Sequence, residues 1–74
     1  MTQLEVRYRY GATPGEAQMR AIDGIREVYG IRRISFAEKE HTICVDFDAS
    51  RLSEPMIAGL LRRAGVDLLE KLVA

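Results

Sequence analysis

The sequence predicts one α+β domain in the order strand, helix, strand, strand, helix, strand. Three observations predict it. Segments near residues 4–10, 31–36 and 42–48 alternate apolar and polar residues with period two. Segments near 14–29 and 53–64 repeat apolar residues at spacings of three and four. Gly11, Gly30 and Gly65 punctuate the boundaries.

In the first strand, Leu4, Val6, Tyr8 and Tyr10 share one side, while Glu5, Arg7 and Arg9 share the other. Gly11-Ala12 breaks it. Thr13 then reads as an N-cap, Pro14 as a first-turn residue and Glu16 as the reciprocal partner of a capping box. The helix that follows offers Ala17, Ala21, Ile22, Ile25, Val28 and Tyr29 as its inner stripe, opposite Arg20, Asp23, Arg26 and Glu27. Gly24 costs about 1 kcal/mol relative to alanine in a helix interior, and close packing would account for it. Gly30 supplies a left-handed stop.

Ile34 and Phe36 point inward from the second strand, and residues 37–41 form a polar turn. Ile43, Val45 and Phe47 share a face of the third strand, which completes a hairpin with a charged tip. Ser53 caps a second helix, with Glu54 and Pro55 in its first turn. Met56, Ile57, Leu60, Leu61 and Ala64 are its expected core residues, and Arg62 and Arg63 suit its carboxyl end. Residues 66–73 suit a helix or a strand by propensity, and the alternating order of elements favours a strand. The sum is a ferredoxin-like βαββαβ sandwich: a four-stranded antiparallel sheet with two helices on one face.

Its 74 residues make a single domain, residues 1–74, near the lower size limit for a core without staples. Eleven basic residues balance eleven acidic ones, so no long-range field draws the domain to nucleic acid or anionic lipid. Neither is expected as a partner. No run approaches the roughly 18 apolar residues of a membrane span, and the first residues carry no leader pattern, so a soluble, cytoplasmic protein is expected. The single cysteine, Cys44, excludes an internal disulfide and an all-cysteine metal site within one chain.

Gly30-Ile31-Arg32-Arg33-Ile34-Ser35-Phe36, Thr42-Ile43-Cys44-Val45-Asp46-Phe47-Asp48 and the stretch from Ile57 to Gly65 together resemble the heavy-metal-associated domain. That family writes them as glycine-valine-x-x-valine-x-valine, a strand ending in tyrosine-aspartate, and a helix ending in alanine-glycine. The likeness spans nearly the whole chain. In the family, the loop after the first strand reads glycine-methionine-threonine-cysteine-x-x-cysteine, and its two thiolates hold a soft ion such as Cu(I). Here Gly11 to Ala17 stands in that place, with Pro14 and Ala17 at the ligand positions. The resemblance therefore implies the fold without the cysteine site, and no cofactor. The family register would also put strand-one arginines among core residues, which implies a bulge or longer loop there.

Few side chains suggest chemistry. Glu16 stands near the lost loop, but the capping box accounts for it. Cys44 belongs on the helix-free face beside Arg7 or Arg9, where a cation lowers a thiol pKa, although a lone strand cysteine is more often filler. His41 sits in the hairpin tip beside Glu40 with no arranged nucleophile. Asp46 pairs adequately with Arg7 or Arg9. Arg7-Tyr8-Arg9-Tyr10 imitates a single-strand nucleic-acid platform, yet alternation sends tyrosines and arginines to opposite faces. No phosphate-cradling arginine loop of the acylphosphatase kind occurs in Gly11 to Gly15.

The expected function is a non-enzymatic interaction module that meets a protein partner, or a second copy in a homodimer, through Arg7, Arg9, Arg33, Cys44 and Asp46 or through an edge strand. One alternative is a metal-handling protein with an intermolecular site from Cys44, His41 and Glu16. Another is a small-molecule-sensing regulatory domain of the same topology.

Overall fold

A computed structural model describes residues 3–72. Strands β1 (Gln3–Tyr10), β2 (Ile31–Ala37), β3 (Thr42–Asp48) and β4 (Leu68–Leu72) and helices α1 (Glu16–Ile25) and α2 (Glu54–Arg63) follow the expected order. The four-stranded antiparallel sheet runs β2-β3-β1-β4. The two βαβ units thus interleave, β1 and β3 lying side by side at the centre, and nothing in this order conflicts with the ferredoxin-like expectation.

The helices share one face of the sheet because only that face is apolar. Val6, Tyr8 and Tyr10 from β1, Ile34 from β2 and Ile43, Val45 and Phe47 from β3 join Ile22, Ile25, Ile57 and Leu61 in one buried cluster. Phe36 packs at its margin, edge-on to Tyr10 with ring centroids 6.0 Å apart. The β1–β3 register is unbroken from Gln3↔Asp48 to Arg9↔Thr42. No bulge therefore lies in that pairing; the irregularities occur on the two flanks, between Tyr8 and Tyr10 opposite β4 and between Ile31 and Arg33 opposite β3. The segment after Gly65 is a strand, tied back to α2 by Lys71 Nζ on Glu54 Oε2 at 2.6 Å. Val73 lies outside the described residues.

Several local expectations need correction. Helix α1 begins at Glu16, and its N-cap is Gly15 rather than Thr13; the Gly15 N–H donates to Gln18 Oε1 at 3.0 Å. Gln18 thus takes the reciprocal role expected of Glu16. Glu16, one residue into the helix, instead accepts from Arg20 one turn on at 2.6 Å. The helix also ends sooner, at Ile25, so its inner stripe contracts to Ile22 and Ile25. Ala17 and Ala21 are exposed, and Tyr29 lies in the following turn, 73% exposed beneath the Arg51 guanidinium at 4.1 Å. Gly24 is not packed closely: a Cβ there would meet nothing within 4 Å.

Gly30 does adopt the left-handed region, with φ of +103°, at the end of the turn rather than at the helix terminus itself. Its carbonyl accepts from Asp48 N–H at 2.7 Å, pinning the turn to the end of β3. In α2, Ser53 is the N-cap residue, but no side-chain bond completes the cap. Ile57, Leu61 and Ala64 are buried as expected, whereas Met56 is 51% exposed because it lies one residue, roughly 100° of helix, away from the inward stripe.

Two substitutions test this packing. Gly24→Ala gains helix propensity without a clash and should raise the urea midpoint by the equivalent of roughly 0.5–1 kcal/mol; destabilisation would mean that the site is crowded. Tyr8 is buried with its hydroxyl lacking a hydrogen-bond partner among the described residues. Tyr8→Phe should leave stability equal or higher, since an unsatisfied buried hydroxyl costs about 1–3 kcal/mol, and a clear loss would reveal a partner.

Candidate functional site on the open sheet face

Period-two alternation along β1 and β3 sends every second side chain away from the helices. The unbroken register then sets Glu5 directly across from Asp46, and Arg7 directly across from Cys44. From β2, Arg33 stands opposite Asp46 and Ser35 opposite Cys44. One row therefore reads Arg33, Asp46, Glu5 across three strands, and the next reads Ser35, Cys44, Arg7. Arg9 pairs with Glu70 of β4 at 3.2 Å and closes the face on that side.

Glu5, Cys44 and Asp46 bring a carboxylate oxygen, a thiol sulfur and a second carboxylate oxygen within 4.8 Å of one another. Two carboxylates facing across adjacent strands repel. The result is an uneven sharing of charge. Glu5 is held below the usual carboxylate range, chiefly by the Cys44 thiol and then by the Arg7 guanidinium, whose Nε donates to Glu5 Oε1 at 3.0 Å. Asp46 is pushed up, first by desolvation and then by the Glu5 charge, with Arg33 opposing. Asp46 thus leans on Glu5 and Arg33, not on Arg7 or Arg9 as its place in the sequence suggested.

Cys44 is pushed up as well, first by burial and then by Glu5, and this outweighs Arg7. A neighbouring arginine therefore does not activate this thiol, because burial and the Glu5 carboxylate, itself paired with Arg7, outweigh the cation. The shift favours the protonated thiol, which can donate a hydrogen bond to Glu5.

His41 and Glu16 stand apart from this cluster in their contacts. His41 takes the left-handed conformation, φ 52°, after the single 3-10 turn Glu38–Glu40. Its Nδ1 lies 3.2 Å from the Gly11 carbonyl oxygen, and its ring lies against Tyr10, with centroids 5.3 Å apart. Glu16 is engaged by Arg20. Asp48 turns inward, where its Oδ1 accepts from the Ser50 hydroxyl and backbone N–H at 2.6 and 3.0 Å.

The loop after β1 is closed by Asp67. Its backbone carbonyl accepts from Gly11 N–H at 2.9 Å and its Oδ2 from Ala12 N–H at 3.2 Å. A Cβ on Gly11 would fall 2.5 Å from that Oδ2, so the close approach needs glycine.

Sequence reading identified Arg7, Arg9, Arg33, Cys44 and Asp46 for this face but missed Glu5 as the residue that organises them. Alternation places Glu5 with Arg7 and Arg9; only the register shows that it meets Asp46. No helix among the described residues is long and apolar enough to cross a membrane. Comparison with protein-family models, with curated proteins and with solved structures finds no match to the chain.

The Asp46 shift fixes the sign of a pH effect. A carboxyl whose folded pKa is raised binds its proton more tightly when folded, so it favours folding at low pH and opposes it once ionised. Asp46→Asn should therefore be more stable than the parent at neutral pH, the difference closing as pH falls through the carboxylate range. A neutral-pH loss in urea melts would contradict this. Likewise, iodoacetamide should alkylate native Cys44 at neutral pH more slowly than it alkylates the same chain in urea; faster native reaction would contradict the raised thiol.

Proposed function

We propose that this chain is a non-enzymatic binding module, a relative of heavy-metal-associated domains without their cysteine pair, that meets a protein partner through the open face of its sheet. The carrying observation is the Glu5–Asp46 confrontation, in which Arg7 pairs with Glu5 while Asp46, opposite Arg33, stays raised. Such a strip is costly in the free domain and gains most from a cationic group of a partner set over it, beside acids set over the arginines. Complementary charge of this kind supplies specificity and orientation. The raised thiol supports binding over covalent chemistry.

The cysteine-based site of the resembled family does not fit these residues. Pro14 and Ala17 carry no donor, and the loop that would hold an ion is tied by Asp67 to Gly11 and Ala12. A second reading keeps metal in play by a different route, because Glu5, Cys44 and Asp46 offer mixed oxygen and sulfur donors. A zinc-like ion accepts both, and binding would displace the thiol proton.

Two experiments separate the readings. A benzophenone side chain at position 9, on the open face, should photo-crosslink a discrete partner in cell extract that competes away with unlabelled protein, whereas one at position 20, on the outside of α1, should not. Equal labelling from both positions would remove the open face from the account. Native mass spectra of the reduced protein with Zn(II) or Cu(I) should show no stoichiometric ion. An ion held by the monomer and lost in Glu5→Gln and Cys44→Ser would install the metal reading, and one held only by a dimer would point to ligands shared between chains.

A further inference from the structure

Helix α2 carries two apolar stripes, and the sheet uses only one. Ile57, Leu61 and Ala64, four and three residues apart, face the core. Met56, Gly59, Leu60 and Arg63 recur at helical spacing on an adjacent face. This second stripe lines a groove together with Val28, Leu52 and Pro55. Gly59 leaves the helix wall open, since a Cβ there would meet nothing within 4 Å.

Val28 also lines the adjoining cleft, whose character is different. Arg26, Arg32 and Arg51 surround it together with Tyr29, and Arg63 borders the apolar groove. The acids lining the two are Glu27 and Asp48. Asp48 is 2% exposed, turned onto Ser50 and paired with Arg51 Nε at 3.7 Å, and Arg26 is engaged by Asp23 at 2.7 Å, whereas Arg63 makes no ion pair among the described residues. The joined surface is an apolar slot with a cationic border.

We infer that this groove docks an acidic amphipathic peptide segment of a partner protein, with an apolar side chain over Gly59 beside Val28 and Met56 and a carboxylate on Arg63. Charge complementarity selects the occupant: Arg63 beside the apolar groove, with the arginines of the adjoining cleft beyond it, matches acids beside an apolar anchor. A second copy fits less well. Of the chain's exposed leucines beside an acid, Leu69 lies between Asp67, which is committed to Ala12, and Glu70, which is committed to Arg9, and Leu4 precedes Glu5, which is committed to Arg7. A concave slot also suits a single side chain better than a lipid surface. This site is separate from the open sheet face and stands whether or not that face binds a partner.

Selection of a random peptide display library on the immobilised full chain tests it, with Gly59→Gln as the counter-target. That variant fills the slot from a helix position with free space above it, so it should fold at least as stably as the parent, as a thermal melt verifies. Enriched peptides should carry aspartate or glutamate beside leucine, isoleucine or phenylalanine. Their affinity should fall roughly tenfold or more in Gly59→Gln and in Arg63→Glu, yet be unchanged in Arg9→Gln on the open face. Enrichment of peptides without acids, no sensitivity to Gly59→Gln, sensitivity to Arg9→Gln instead, or no enrichment would each overturn the inference. Tighter binding of the parent than of Gly59→Gln to phosphatidylglycerol vesicles, with no peptide enriched, would replace the peptide with a membrane.

Discussion

The structure depends on one constraint, the unbroken register between β1 and β3. Because successive side chains point to opposite faces, that register decides at once what is buried and what is displayed. It places Val6, Tyr8, Ile43, Val45 and Phe47 under the helices. It also sets Glu5 against Asp46 and Arg7 against Cys44 on the other side. A slip by one residue would put arginines in the core and tyrosines in water, so the charged face cannot be altered independently of the core. The flanking strands are less strictly paired: β2 and β4 each contain an irregularity, and each has a free edge.

That constraint also explains which parts of the molecule were legible in the sequence. Strands β1, β2 and β3 were readable because their alternation is clean, and β4 because the order of elements required a fourth strand where leucine and lysine gave no preference. The helix termini were harder. Thr13-Pro14-Gly15-Glu16 contains the letters of a capping box, but the chain caps on Gly15 and uses Gln18, a choice that depends on where the helix begins to turn. Tyr29 and Met56 were misplaced for a related reason. Periodicity marks every apolar residue near the stripe, whereas a helix of ten residues on a narrow sheet buries only two or three of them.

The candidate site was legible as a set of residues and illegible as a piece of electrostatics. Alternation put Cys44 beside Arg7 or Arg9, and the register selects Arg7, a cation that taken alone would lower the thiol pKa. The missing facts were the burial of the thiol, which raises it most, and Glu5, whose carboxylate pairs with the arginine and raises it further. Distances of this kind follow from register, and no single strand's sequence contains them. Met56, once its exposure is seen, changes from an error about the core into part of a surface.

The most direct measurement is a double-mutant cycle in urea at neutral pH between Glu5→Gln and Asp46→Asn. If the two carboxylates confront each other across the central strands, neutralising Asp46 should stabilise the parent clearly and the Glu5→Gln background less, the remainder being relief of desolvation. Two substitutions that are simply additive would show that Glu5 and Asp46 do not meet, and would contradict both the register and the site built on it.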